Sequence, residues 1–203
     1  MAKNWKIRKD LSIEVYGHKL FRIECTQDFA EIKAGTLGGY IEKEENLAGD
    51  AWVSDKAWVF GDARVSGDAR VSDDARVSGD ARVSGDARVS DEAQVSGDAQ
   101  VYGKAWVYGK AQVYGKAWVS DDEIKNRYDI CNISNRYYNI TITPLHIKIG
   151  CQYHAQEAWW NFTDEQIEKM DGDAALSFWK IWKEPLKQIC ESMKKEKGDD
   201  NAE

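Results

Sequence analysis

From Gly49 to Ser120 hydrophobic and polar positions recur every six residues, as GDAWVS, DKAWVF, GDARVS, GDARVS, DDARVS, GDARVS, GDARVS, DEAQVS, GDAQVY, GKAWVY, GKAQVY and GKAWVS, without an insertion. A period this strict means stacked copies of one small unit. In each unit Ala and Val flank one variable residue. A short strand therefore turns Ala and Val to one side and the Trp, Arg or Gln between them to the other. Gly-Asp or Asp-Asp supplies the corner, because Gly tolerates positive φ and Asp bonds its local backbone. Short strand, corner, short strand describes a coil with a narrow interior. With three units per turn the repeat makes four coils, and Ile41 and Leu47 hold the phase of Val53, which predicts a degenerate first coil from near Thr36. A right-handed helix or a two-sided roll is the competing arrangement.

The flanks follow other periods. The stretch from Leu11 to Cys25, "LSIEVYGHKLFRIE" and onward, reads as two strands around a turn at Tyr16 to Lys19. Such a hairpin would cover the first coil, as natural solenoids cover their open ends. Beyond the repeat, "YYNITITPLHIKIGCQYH" reads as a strand pair broken at Pro144. Thr163 and Gln166 have the spacing of a capping box, which predicts a helix to Met170. A second helix is expected after Asp171 or Asp173, with Leu176, Trp179, Trp182, Leu186, Ile189 and Met193 three or four apart. Pro185 is expected to kink or split it, and "KKEKGDDNAE" to fray. The prediction is a mainly β chain: an N-terminal hairpin cap over 1–36, a repeat β-helix over 37–120 and a C-terminal α+β module over 121–203.

Three units per coil sort the outward residues into columns 18 apart. One carries Trp52, Arg70, Arg88 and Trp106, the second Trp58, Arg76, Gln94 and Gln112, the third Arg64, Arg82, Gln100 and Trp118. Each Arg follows an Asp by two positions, so lateral Asp–Arg pairs are expected to offset repulsion along the columns. Over the 203 residues Lys and Arg total 28 against 35 Asp and Glu, a net charge of -7. That balance argues against general nucleic-acid or anionic-membrane binding, which needs clustered basic residues. The start, "MAKNWKIRKD", carries no apolar run, and nowhere is there a stretch long and apolar enough to span a membrane. A cytoplasmic location is expected. Cys25, Cys131, Cys151 and Cys190 form no CxxC pair and read as reduced.

The aliphatic residue followed four positions later by a small one, as in Val65 to Ala69 and Val71 to Ala75, resembles the hexapeptide-repeat, left-handed parallel β-helix family. Outside the repeat, "LFRIECTQDFAEIKAGTLGGYIEKEENL" and "IKIGCQYHAQEAWWNFTDEQIEKMDGDAALSFWKIWK" are similar to segments of phage and prophage hexapeptide-repeat proteins, most of them without an assigned activity. The resemblance implies a left-handed β-helix and a role in host takeover or counter-defence, as an inhibitor of a host protein or a sponge for a nucleotide-type signal. It also implies homo-oligomers, dimers or trimers formed through flat faces.

The best-known enzymes resembling this fold are acyltransferases, which generally use a histidine base and loops excluded from the coils. Residues 49 to 120 hold neither, so the expectation is a binding protein with no cofactor. An acyltransferase-like enzyme and an assembly protein are the alternatives. His146, Cys151 and His154 form a weak metal-ligand set. On one extended strand the two histidines would share a face and Cys151 the other, and packing roles are favoured. His18 in the hairpin turn is expected to be solvated. The outward Trp residues, concentrated at the two ends, suit packing under covers or against another subunit better than stacking on bases or sugars. The candidate binding residues are therefore Arg64, Arg70, Arg76, Arg82 and Arg88 on the faces, with Tyr153, Trp159 and Trp160 beyond them.

Overall fold

The computed structural model describes residues 3–199, with side chains as far as Lys194. It is mainly β, a β-solenoid of about five turns followed by a module of one sheet and helices. Two compact units divide the chain, Met1–Arg127 and Tyr128–Glu203. Among the described residues no helix is long and apolar enough to cross a membrane.

Every inward Ala and Val of the repeat, from Ala51 and Val53 to Ala117 and Val119, is fully buried. Burying a Val side chain stabilises by about 1.5 kcal/mol or more. Most strands of the repeat are two residues long, for example Arg70–Val71, because the turn at Gly-Asp ends just before Ala and the next begins soon after Val. Backbone bonds run from coil to coil: Arg70 N–H donates to Ala87 O at 3.0 Å and Ser72 N–H to Val89 O at 2.9 Å. Strands pair in parallel at a separation of 18, Arg70 with Arg88 and Arg64 with Arg82. The first coil is the degenerate one expected, with Ile41 beside Val59 and Leu47 beside Val65. The last strand, Glu123–Ile124, pairs with Trp106–Val107 at a separation of 17, one residue having been lost from the corner before it.

The first residue of every unit from Gly49 to Asp121 has φ between 55° and 72°. Gly occupies most of these corners, and a Cβ at Gly67 would stand 3.0 Å from Gly85 N. Asp55, Asp73 and Asp91 share one corner column and adopt the same left-handed conformation with φ of 55°, 60° and 57°. Their carboxylates replace what Gly gives in freedom with hydrogen bonds. Asp73 accepts from Ser72 Oγ at 2.7 Å and from Asp91 N–H at 3.3 Å, and Asp91 accepts from Gly109 N–H at 2.8 Å. The column is an aspartate ladder, which the six-residue period alone does not reveal.

The hairpin is longer than the sequence suggests, Trp5–Val15 with His18–Cys25, and its second strand pairs antiparallel with Leu37–Ile41 of the first coil. Leu20, Ile23, Cys25 and Trp5 are its buried residues. A Cβ at Gly38 would lie 2.5 Å from both Ile23 Cγ1 and Val53 O, so the hairpin seats only against a bare backbone there. Trp52 is buried with Phe29 edge-on at 5.7 Å, as a covered end requires. His18 departs from expectation: its Nδ1 lies 2.9 Å from Glu42 Oε1 and its ring 5.1 Å from Phe60, because the hairpin tip folds back on the solenoid.

The C-terminal unit holds four antiparallel strands where the sequence suggests two, Cys131–Ser134, Asn139–Ile142, His146–Ile149 and Gln152–Ala155. Helix α1, Gln156–Asn161, follows directly, then α2, Asp164–Asp199. The Thr163 capping box forms: Gln166 N–H donates to Thr163 Oγ1 at 3.3 Å and Thr163 N–H to Gln166 Oε1 at 2.9 Å. Helix α2 breaks at Asp171 and Gly172, where the second helix is expected to begin, but it stays helical through Pro185. Pro185 and Ile181 both lie on the exposed side, where solvent serves the carbonyl that proline cannot. The helix continues to Asp199, and the rest of the tail expected to fray lies outside the described residues.

Candidate functional site

The register brings the predicted columns into being and gives each arginine a different environment. Arg76 lies over the Trp58 ring, 4.8 Å from its centre, and is half-buried. Arg70 donates through one nitrogen to Asp50 O at 2.7 Å and Asp68 O at 2.8 Å, so it is fastened to backbone carbonyls. Arg64, Arg82 and Arg88 are exposed and have no side-chain hydrogen bond or ion pair among the described residues. The lateral Asp–Arg pairs expected along the faces do not form. Arg70 shows one alternative: its guanidinium reaches the backbone carbonyl of the Asp two positions earlier in place of its carboxylate.

Arg88 pairs in register with Arg70 on one side and Trp106 on the other. Trp106 is 40 % exposed, which separates it from the covered Trp52 in the same column. Its indole N–H donates to Ser90 Oγ at 3.2 Å and its ring stands 4.5 Å from that of Tyr108, so the exposed ring is held from two sides. The row Arg70, Arg88, Trp106 forms a wall between two open troughs. One, of about 520 Å³, is lined by Asp68, Asp86, Lys104 and Glu123 together with the row. The other, of about 430 Å³, is lined by Ser72, Asp73, Ser90 and Asp91 with the same row. Exposed cation and exposed aromatic thus stand side by side between acidic margins. Trp106 is the member that sequence reasoning set aside, because its exposure depends on the neighbouring coils and not on its unit.

The candidates beyond the repeat do not assemble into one site. Trp159 is buried, its indole N–H donating to Ile147 O at 2.8 Å, and Trp160 stacks on Trp179 at 6.1 Å. Tyr153 sits opposite Lys148 and stacks on His146 at 4.7 Å, on the sheet face away from Ile147. His154 is opposite Ile147, with its ring edge-on to Trp159 and Phe162, and burial pushes its pKa down. His146 and His154 therefore face opposite sides of the sheet, contrary to the single-strand expectation. The two-residue turn Gly150–Cys151 changes the phase between them. Cys151 is exposed at that turn. Among the described residues no group of three or more His, Cys, Asp or Glu is placed to hold a metal ion.

This geometry defines a repeat β-solenoid protein with decorated outer faces and a separate sheet-and-helix unit. A family model described as YdcK Beta solenoid repeat matches residues 63–79, 69–85 and 93–109. No curated protein matches the chain.

Proposed function

We propose that the chain is a non-catalytic interaction protein, of the phage-borne hexapeptide-repeat kind that its flanking segments resemble. It binds a host protein through the row Arg70, Arg88 and Trp106. The observation that carries this reading is the pairing of Arg88 and Trp106, both exposed, in adjacent rungs of a stacked backbone. Arg and Trp are the side chains that most often dominate protein interfaces, and neither loses backbone freedom when a partner lands on a face already held by the coil ladder. Acidic residues line both troughs beside the row, a mixture that suits a protein surface better than a polyanion. The absence of histidine from residues 49 to 120 accords with binding without acid–base chemistry.

The test captures partners from a bacterial lysate with the wild-type chain and with Arg88→Glu and Trp106→Ala, followed by titration of the purified partner. Each substitution is expected to weaken the partner by at least about tenfold, the ordinary loss for a hot-spot residue, with the melting temperature unchanged. Retained affinity in both variants removes the row from function. Recovery of a nucleotide in place of a protein, or a mass that grows with concentration in light scattering, replaces the host-protein reading with a sponge or an assembly.

A further inference from the structure

The C-terminal unit carries a half-open pocket of about 150 Å³ that no part of the proposed interface uses. Aromatic rings dominate its lining. Trp159 and Trp179 stand 5.3 Å apart, and Tyr138 meets Phe178 edge-on at 4.9 Å. Ile149, Ile167 and Ala175 add aliphatic atoms. A largely apolar pocket of this size has room for a benzene-sized guest.

One charged group lines it. Asp171 sits at the break in α2, with φ of -158° beside Gly172 at φ +62°, and the break brings its carboxylate to the Tyr138 hydroxyl. That hydroxyl donates to Asp171 Oδ2 at 2.7 Å. Asp171 forms no ion pair among the described residues, and its Oδ1 has no hydrogen-bond donor there. Tyr138 in turn lies against Gly150, where a Cβ would meet its ring at 2.9 Å, so the hairpin turn fixes the ring that fixes the carboxylate.

Ring faces carry negative potential and attract cations, most strongly where water is excluded. The Lys183 ammonium, outside the pocket lining, stands 5.6 Å from the centre of the Trp179 ring, so that ring already attracts a cation in the folded chain. The exposed Asp171 carboxylate stands at the rim of the pocket, where it attracts a cation and meets an anion with like charge. We infer that the cavity is a binding site for a small organic ammonium cation, alkylated at nitrogen, with its apolar body among Trp159, Trp179, Phe178 and Tyr138 and its charge toward Asp171. The exposed thiol of Cys151, which with Gln152 lines the same cavity, gives the site a chemical reporter.

The experiment uses the full chain and two probes of nearly equal shape, choline and its neutral analogue 3,3-dimethylbutan-1-ol. Binding is followed by indole N–H resonances and by the rate of Cys151 alkylation with iodoacetamide. Choline is expected to shift the Trp159 and Trp179 signals saturably and to slow alkylation, with the alcohol at least about tenfold weaker. Asp171→Asn should remove the preference for choline. Ala175→Leu, which fills the cavity, should abolish binding of both probes while the unit stays folded by its indole spectrum. Equal binding of choline and the alcohol, choline affinity untouched by both substitutions, or no response to choline at tens of millimolar overturns the inference.

Discussion

At the scale of single residues the repeat is governed by one backbone conformation. The left-handed corner of each unit admits Gly without cost, whereas an Asp there must be supported. Asp73 receives that support from its two carboxylate hydrogen bonds, to Ser72 Oγ and to the Asp91 N–H. Replacing it separates the two effects. Asp73→Gly loses the bonds but relieves the backbone, and should change stability little. Asp73→Ala loses the bonds and keeps a Cβ at φ of 60°. The Ala variant should be less stable than the Gly variant by about 1–2 kcal/mol, the ordinary cost of left-handed backbone. Urea denaturation of the two variants side by side measures this, and equal midpoints would show that the ladder carries no strain to be offset.

At the scale of elements, the first coil is closed by one buried side chain. Asn46 Nδ2 donates to Ala63 O at 2.8 Å and Gly61 O at 3.1 Å, and its Oδ1 accepts from Lys43 N–H at 2.9 Å and Glu42 N–H at 3.2 Å. It supplies the bonds that a further coil would have made. Asn46→Ala should cost about 1–3 kcal/mol, because buried backbone groups are left unpaired. Amide exchange at Leu47 and Val65 should accelerate more than at Val83 and Val101, and uniform acceleration would mean that Asn46 acts on the whole coil stack. Elements were legible in the sequence where their cause was local. The Ala and Val alternation, the Thr163 capping box and the break near Asp171 each lie within a few residues. The strand Cys131–Ser134 and helix α1 lacked such signals, the first having little alternation and the second spanning only six residues. The opposite facing of His146 and His154 depended on a two-residue turn that the run "HIKIGCQYH" does not mark. The cavity draws on residues from Tyr138 to Trp179, and no motif joins positions so far apart.

At the scale of the molecule, charge is distributed unevenly, and this sets the response to acid. The N-terminal flank is tied by Lys3 to Glu44 at 2.5 Å, Lys6 to Glu24 at 2.9 Å, Arg8 to Glu24 and Lys33 to Asp28 at 2.9 Å. Hydrogen bonds from Lys6 and Arg8 hold the Glu24 carboxyl below its ordinary range, the Lys3 ammonium does the same for Glu44, and the Ala34 N–H and Lys33 do so for Asp28. A carboxyl with a depressed folded pKa stabilises the fold at pH values above its unfolded pKa, near 4. The contribution fades as pH falls from there through the folded value. Apart from the part-buried Glu24 pairs these contacts are exposed and individually weak, so the expected outcome is local. Between about pH 4 and pH 2.5 amide exchange in Trp5–Val15 and His18–Cys25 should rise before that of Val83 and Val101, which follow glycine corners and whose backbone ladders and Ala and Val interior do not titrate. Salt near 1 M should reduce the gap by screening the same pairs. Simultaneous loss of protection in hairpin and coils would show that the hairpin is held by its buried face, Trp5, Leu20 and Ile23, and that the ion pairs above it are incidental.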